Sequence, residues 1–230
     1  MRPGTLAWAF TLTAVLCSPG AGRAQAGSVE STTLPPTIPV FPLQDVMLFP
    51  HSTRPLHIFE PRYRAMVADA LEGDSIIGMI LLQPGHEAEY EGRPPIYAVG
   101  CAGRIIAVER LPDGRYNIVL DGLVKFRVLN EDTSRPYRLA EVEALPEVVE
   151  DDDRPLLAQR RRQLESALLS ALPGIQRPPP DLLDEDVVDG VSAALPLEPA
   201  DRQELLEANG PIERATRLIA YLVDRAAPLF

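Results

Sequence analysis

The hydrophobic pattern of the chain changes at an acidic connector, residues 146–155, PEVVEDDDRP. Before the connector, short apolar or alternating runs bounded by Gly and Pro are typical of strands. After it, apolar residues recur only at helical spacing. We therefore predict an α+β fold in which a strand-rich half precedes a helical half.

The strand-rich half contains one helix between its second and third candidate strands. Pro61 is typical of a first helical position, and Gly73 is typical of a helix stop. Pro112-Asp113-Gly114 predicts a hairpin turn between the two longest candidate strands. The candidate strands are 38–43, 54–59, 75–82, 96–111, 115–129 and 137–145.

Three glycines interrupt the long candidate strands and predict bulges where a sheet bends into a barrel: Gly100, Gly103 and Gly122. In the helical half, Pro199 and Pro211 lie at first-turn positions. The candidate helices there are 154–171, 181–194, 199–208 and 211–226.

The first 26 residues have the pattern of a secretory signal peptide. Arg2 precedes an uncharged, largely apolar run at 5–17, and Ala24-Gln25-Ala26 offers a small-x-small cleavage site. We expect cleavage after Ala26, a linker at 27–37, and a periplasmic or secreted protein without a membrane span. The alternatives are an uncleaved anchor, or a misassigned start codon upstream of a cytoplasmic protein.

The charge of the chain disfavours two classes of partner. The net charge is −11, and removal of Arg2 and Arg23 with the signal peptide would lower it to −13. A general nucleic-acid binder needs a basic face, and an anionic lipid surface also attracts basic segments. We therefore expect no binding to nucleic acid, although RNA binding remains an alternative to test.

Lys125 is the only lysine, and Phe126 follows it. A phosphate-binding loop of the Gly-Lys-Ser/Thr type is therefore excluded, and with it ATP hydrolysis of that kind. A Ser–Lys protease would also have to use this residue. Its strand alternates like a half-exposed one, so we predict a surface lysine.

Few residues are suited to catalysis or metal binding. Ser75 stands in GDSI, but His86 is the last histidine, and no Gly-x-Ser-x-Gly motif exists. A small hydrolase that uses Ser75 or His57 is retained only as a minor alternative. His51, His57, His86 and Glu60 have no metal-ligand spacing. We predict no catalytic residue, no metal and no cofactor, a hydrogen-bonded structural His57, and a buried, inert Cys101.

Several segments occur in a familiar order: IPVFPLQDVMLFPHSTRPLHIFEPRYRAMV, IIGMILLQPG, YAVGCAGRIIAVERLPDGRYNIVLDGLVKFRV and RQELLEANGPIERATRLIAYL. In this order they resemble the Lon substrate-binding domain, the amino-terminal domain of Lon-type ATP-dependent proteases. The stand-alone version of that domain is the most similar form. The resemblance runs from about Ile38 to Arg225. It implies one domain, with a PUA-like twisted β-barrel at 38–146 and a C-terminal α-helical bundle at 154–226.

The resemblance also implies a function. In Lon the domain helps to capture unfolded polypeptides, so we expect a non-catalytic polypeptide-binding module that lacks the ATPase and protease parts. Unfolded chains are recognised by exposed apolar patches or by addition to a strand edge. The stretch 54–66 is expected to be a rigid strand–helix corner in which Phe59 packs on Tyr63. Our candidates for contact with polypeptide are Phe41, Phe49, Phe59, Tyr63 and Tyr90. The alternative is a structural interaction protein that docks one specific folded partner.

Overall fold

The computed structural model describes residues 33–86, 92–172 and 174–226. In this part of the chain the elements follow the predicted order closely, with only small shifts at their ends. They are β1 Thr37–Leu43, β2 Thr53–Ile58, α1 Pro61–Glu72, β3 Ile76–Leu81, β4 Val99–Arg110, β5 Tyr116–Asp132, β6 Arg138–Leu145, α2 Arg154–Ala171, α3 Asp184–Ala194, α4 Pro199–Glu207 and α5 Gly210–Ala226.

The six strands form one mixed sheet in the order β2-β5-β4-β3-β1-β6. Only the pairing of β1 with β3 is parallel. β6 pairs with β1 and also with β5, so β1, β3, β4, β5 and β6 form a closed ring of pairings. β2 lies outside this ring and pairs with the first part of β5.

A small apolar cluster fills the ring. Phe126 of β5 is fully buried there. Ideal Cβ atoms built at Gly78 and Gly100 would each lie 2.7 Å from the Phe126 ring. The two glycines therefore make room for that ring. The other buried members of the cluster are Ile38, Val40, Ile76, Ile80, Ala102, Ala140 and Val142.

The larger core lies on the other side of the sheet. α1 contributes Tyr63, Met66, Val67 and Ala70, which recur at helical spacing on its buried face. Residues of α2, α3, α4 and α5 join the same cluster. The strand-rich half and the helical half thus share one hydrophobic core, which fixes the strands in place.

β5 bends at Gly122. An ideal Cβ there would lie 2.0 Å from the Phe49 carbonyl oxygen, so no other residue fits without a backbone shift. The register with β4 also skips Leu123, between the pairs Ala102–Val124 and Gly103–Gly122. This bulge confirms the prediction for Gly103 and Gly122, and it separates the ring from a three-stranded extension. The prediction of a bulge at Gly100 was wrong, because Gly100 pairs in regular register with Phe126, and the glycine instead makes room for the Phe126 ring.

Lys125 is buried, contrary to our prediction of a surface lysine. Its Nζ donates to the Ala208 carbonyl oxygen at 2.8 Å and lies 2.5 Å from Glu147 Oε1. The prediction was wrong because the bulge at Leu123 breaks the alternation, so that Lys125 and Phe126 are both buried. Strand alternation read from sequence assumes a regular strand.

None of the helices in the described ranges is long and apolar enough to cross a membrane. Residues 1–32 lie outside those ranges, so the expected signal peptide and most of the linker are not described by the structure. The acidic connector is exposed at 150–153 and leads directly into α2.

Candidate functional site

The three-stranded extension, here called the arm, presents an open face. It consists of β2, the 104–110 part of β4 and the 116–121 part of β5, paired through the registers of β2 with β5 and of β4 with β5. Alternation places one set of side chains on the face away from the core. On this outer arm face lie Pro55, His57, Ala107, Glu109, Asn117 and Val119, around an open groove of about 520 Å³.

Two large apolar side chains are exposed on the arm, next to residues that line this groove. Phe59, directly after β2, is 61% exposed and stacks on His57, with ring centroids 6.3 Å apart and an interplanar angle of 24°. Ile106 is 55% exposed because the register shift between Ile105 and Ala107 leaves it without a partner on β5. An exposed aromatic ring beside an apolar groove is typical of an interaction surface rather than of an ordinary solvated face.

Polar side chains cross the outer arm face as a chain of hydrogen bonds. Arg115 donates to His57 Nε2 at 3.1 Å. An arginine can only donate, so Nε2 accepts and Nδ1 carries the hydrogen that binds Asn117 Oδ1 at 2.7 Å. Asn117 Nδ2 in turn donates to Glu109 Oε2 at 2.6 Å. The hydrogen bonding predicted for His57 is confirmed, but the residue is exposed, and its ring is held in a fixed orientation.

The outer arm face does not contain the pair that a hydrolase would need. Ser75 lies in the turn between α1 and β3, where its N–H donates to the Ala70 oxygen and its carbonyl accepts from the Ile105 N–H. His57 is hydrogen-bonded instead to Asn117 of β5 and to Arg115 of the turn before β5. Ser75 thus lies at the junction between the helix that was predicted to stop at Gly73 and the strand that was predicted from residue 75.

The candidate residues for polypeptide contact separate into two groups. Phe41, Phe49 and Tyr63 are buried, and the rings of Phe41 and Tyr63 pack with centroids 4.4 Å apart. Phe59 is exposed, and Tyr90 lies outside the described residues. Tyr63 therefore packs against β1 while Phe59 stacks on His57, which differs from the Phe59–Tyr63 contact that we expected. The helix start directs Tyr63 into the core and leaves Phe59 on the opposite side of the corner.

Sequence reasoning missed the rest of the outer arm face. Asn117 and Val119 alternate with the buried Tyr116, Ile118 and Leu120, and this alternation is the sequence signal for that face. The position of Val119 between Pro55 and Ala107 depends on the strand registers Pro55–Val119 and Ala107–Val119. A register between strands that are far apart in the chain cannot be read from one sequence.

The histidines do not form a metal site. His51 Nδ1 lies 2.8 Å from Asp186 Oδ1, so this histidine joins the strand-rich half to α3. In the described part of the chain, no group of three or more His, Cys, Asp and Glu side chains could hold a metal ion. Cys101 is buried as predicted, and its burial raises the pKa of the thiol well above the usual value.

A second groove lies between α2 and α5 and has a volume of about 460 Å³. Polar and small residues of α2 form one wall, among them Gln159 and Ser166. Ile219, Leu222 and Val223 of α5 form the other, and Val223 is 55% exposed. This groove is less aromatic than the outer arm face.

A family model described as the ATP-dependent protease La (LON) substrate-binding domain matches residues 37–224. Lon protease 2 of Sorangium cellulosum is 29% identical over 198 residues, which cover 82% of this chain and 24% of that protein. Lon protease of Trichlorobacter lovleyi is 31% identical over 198 residues, with the same two coverages of 82% and 24%. The chain thus spans about a quarter of the length of these relatives.

Two solved structures share the fold. A Lon N-terminal domain protein from Xanthomonas campestris is 26% identical, has a TM-score of 0.54, and aligns over 80% of this chain and 98% of its own. The N-terminal domain of Mycobacterium avium complex Lon protease is 22% identical, has a TM-score of 0.60, and aligns over 82% and 98%. Both alignments cover the strand-rich and helical halves together.

Proposed function

The chain belongs to the family of ATP-dependent protease La (LON) substrate-binding domains, and from this premise we propose that it binds unfolded polypeptides without catalysing a reaction. The match is to the substrate-recognition part of Lon, and the aligned region is about a quarter of the full-length relatives. Recognition of polypeptide is therefore the activity that this chain can share with them.

The observation that carries the proposal is the Phe59–His57 stack beside the open groove of the arm. An extended polypeptide laid across the strands would bring apolar side chains onto Phe59 and into the groove lined by Pro55, Ala107 and Val119. Aromatic side chains supply large contact areas with little entropy cost, because few torsions have to be fixed. Such a surface favours apolar segments, which are exposed when a protein is unfolded.

The candidate contact residues take different roles in this proposal. Phe59 touches the polypeptide directly. Tyr63 of α1 packs on Phe41 of β1, and Phe49 is a buried residue whose carbonyl oxygen lies against Gly122. The Phe41–Tyr63 contact anchors the start of α1, directly after Phe59. Tyr90, which lies outside the described residues, remains a proposed contact.

We infer that the closed ring of strands is a PUA-like barrel. The double pairing of β6, with β1 and with β5, supports this inference, and so does the apolar cluster inside the ring. Closure removes free strand edges from the ring. β2 lies outside it, which makes the arm the place where a further extended chain can be accommodated.

We also propose that the protein is exported, as the pattern of its first 26 residues suggests. Fractionation of cells that express the protein with a C-terminal epitope tag tests this proposal. Export predicts the tag in the periplasm or medium, at a mass reduced by cleavage after Ala26. A tag confined to the cytoplasm, at full mass, would favour the alternative start codon.

Fluorescence anisotropy tests the polypeptide-binding proposal. The protein is titrated into labelled unfolded and labelled folded forms of one model protein, with a labelled RNA oligonucleotide as control. We expect binding of the unfolded form in the micromolar range, weaker binding of the folded form, and none of the RNA even at low salt. Equal binding of folded and unfolded forms, or none at high micromolar protein, would contradict the proposal.

The groove between α2 and α5 favours a second candidate function, the docking of one specific folded partner. A groove of this kind accepts an amphipathic helix more readily than an extended chain. This function predicts that Val223→Asp abolishes capture of a single partner from the compartment where the protein resides, and that Phe59→Ala leaves it unchanged.

A further inference from the structure

A small basic pocket lies where the first turns of α1 meet the turn between β4 and β5. Its volume is about 320 Å³. The pocket is close to Phe59, because Phe59 precedes its first lining residue by two positions. It is lined by Pro61, Arg64, Ala65, Arg110, Gly114 and Tyr116.

Arg64 spans the pocket from α1 to the turn. An ideal Cβ at Gly114 would lie 2.2 Å from an Arg64 guanidinium nitrogen, and Gly114 has a positive φ of 82°. The turn therefore needs glycine both for its backbone conformation and for the close approach of the guanidinium group. Across the pocket, the Arg110 guanidinium lies 5.9 Å from the centroid of the Tyr116 ring. The two arginines are held by packing rather than by acidic side chains.

Among the described residues, two neighbouring arginines form ion pairs with carboxylates, whereas Arg64 and Arg110 do not. Arg62 pairs with Glu60 at 2.9 Å, and Arg115 pairs with Asp113 at 2.7 Å. Within residues 33–86, 92–172 and 174–226, Arg64 and Arg110 form no such ion pair with an acidic side chain. The chain has 33 acidic and 22 basic residues, so two uncompensated arginines in one pocket run against its overall charge.

We propose that this pocket binds a carboxylate of the polypeptide whose apolar residues lie on the outer arm face. The inference rests on the proposed polypeptide-binding function and adds a charge preference to it. Planar guanidinium groups match a carboxylate through paired hydrogen bonds. The carboxylate can come from the C-terminus of the bound chain or from an Asp or Glu side chain.

The position of the pocket fits this arrangement. The pocket and the outer arm face lie on opposite sides of the arm and meet at the corner Phe59–Pro61. An extended segment of about five residues spans roughly 16 Å. It could therefore place a terminal carboxylate between Arg64 and Arg110 and carry the preceding side chains over Phe59. The substrates favoured by this geometry have an apolar segment that ends in, or closely precedes, a negative charge.

Three labelled peptides of one apolar sequence test the proposal: a free C-terminal acid, a C-terminal amide, and an amide with one Asp inserted near the end. Each is titrated with the wild-type protein and with R64Q/R110Q, R110Q and R162Q variants. R162Q is the control for R110Q, because each of these substitutions removes one positive charge and Arg162 is an exposed arginine of α2, in the groove between α2 and α5 and not in the pocket. Unfolding midpoints of all variants report whether the fold is retained.

We expect the acid to bind the wild type about fivefold more tightly than the amide, as for a partly exposed charged hydrogen bond. R64Q/R110Q and, to a smaller degree, R110Q should remove this preference, and R162Q should keep it. Tight binding of the Asp-containing amide identifies a side-chain carboxylate as a ligand, and weak binding of it identifies the chain terminus. Either result supports carboxylate binding in the pocket.

Equal affinities of the acid and the amide for the wild type would contradict carboxylate binding in the pocket. They would leave the proposed polypeptide binding intact. A preference that persists in R64Q/R110Q would also contradict carboxylate binding in the pocket. Loss of binding by all three peptides would contradict the proposed function itself. Tighter binding of an RNA oligonucleotide than of the acid peptide would replace the carboxylate with a phosphate and contradict the proposal.

Discussion

Arg214 donates to both carboxylate oxygens of Glu147, at 2.8 and 2.9 Å, and so ties α5 to the segment that follows the last strand. Arg214 is fully buried, and it also pairs with Asp189 of α3, which is 2% exposed. Lys125 contributes a second cation from β5. Two positive and two negative charges therefore balance inside the protein, where the strand-rich and helical halves meet.

Removal of one charge from this cluster should destabilise the whole fold. Arg214→Ala leaves Asp189 and Glu147 buried with only Lys125 to compensate them. We expect the free energy of unfolding to fall by about 3–5 kcal/mol, as for other broken buried ion pairs. Urea denaturation measures the change. The matched control is Arg217→Ala, because Arg217 pairs with Glu213 at 2.5 Å on the exposed surface. That change should cost no more than about 1 kcal/mol, and similar costs for both variants would contradict a buried cluster.

The pH dependence of stability should reveal Asp189. Burial raises the pKa of its carboxyl from the usual 3.8 to about 6, although Arg214 acts in the opposite direction. Between about pH 4 and 6 the folded protein retains a proton that the unfolded chain has released. The contribution of Asp189 to stability therefore falls as pH rises through this window and is level above it.

Comparison of the wild type with Asp189→Asn separates the pH dependence that Asp189 causes from that of the other carboxylates. The free energy of unfolding of the wild type minus that of the variant should decrease from about pH 4 to about pH 6. Urea denaturation of both proteins at a series of pH values measures the difference. A difference that is nearly level from pH 4 to 6 and rises with pH only below about pH 4 would mean that Arg214 outweighs burial and lowers the pKa of Asp189.

Substitution by alanine should change the stability of the protein in opposite directions at two of its glycines. At Gly122 a Cβ would lie 2.0 Å from the Phe49 carbonyl oxygen, so Gly122→Ala forces the bend of β5 to move. We expect a loss of at least about 3 kcal/mol in stability, comparable to other severe core changes. At Gly190 of α3 no atom lies within 4 Å of a Cβ, and alanine there should stabilise the helix by about 0.5–1 kcal/mol. Thermal unfolding of both variants tests this contrast, and tolerance of Gly122→Ala would contradict the bend.

The elements of the fold were predictable from local signals. Pro61 and Gly73 bound α1, and the Pro112–Gly114 turn separates β4 from β5. These residues act through local backbone geometry, which the sequence displays directly. The resemblance to Lon substrate-binding domains was confirmed by the family match over residues 37–224.

The buried charge cluster was not predictable in the same way. Charged residues are expected to be exposed, so Arg214 and Asp189 gave no signal of their own. A weak signal existed in α5, since Arg214 shares a helical face with the buried Leu218 and Leu222. The other charged residues of the cluster are Lys125 of β5, Glu147 after β6 and Asp189 of α3, and only the packed structure brings them to Arg214.

The candidate site was predictable only in part. Phe59 is an exposed aromatic residue at the corner, whereas Phe41, Phe49 and Tyr63 are core residues. An aromatic side chain fits a core and a binding surface equally well in sequence. The outer arm face depends on strand register, and the basic pocket depends on the approach of the turn at Gly114 to α1. Neither relationship is local in the chain.

Substitution of two phenylalanines should separate binding from folding. Phe59→Ala removes an exposed ring, and we expect weaker binding of unfolded polypeptide by about five- to thirtyfold, with stability changed by less than about 0.5 kcal/mol. Phe49→Ala removes a fully buried ring and should cost about 3–5 kcal/mol of stability. Anisotropy and urea denaturation measure the two quantities. Unchanged affinity of Phe59→Ala would remove Phe59 from the binding surface.

Hydrogen exchange measured with and without a saturating unfolded polypeptide tests most directly whether the arm is the binding surface. Binding across the arm predicts slower amide exchange in residues 53–60 and 104–119, with no change in residues 159–170 and 219–223 of the groove between α2 and α5. Slower exchange in that groove, with the arm unchanged, would contradict the account and would place the interaction surface on the helical half.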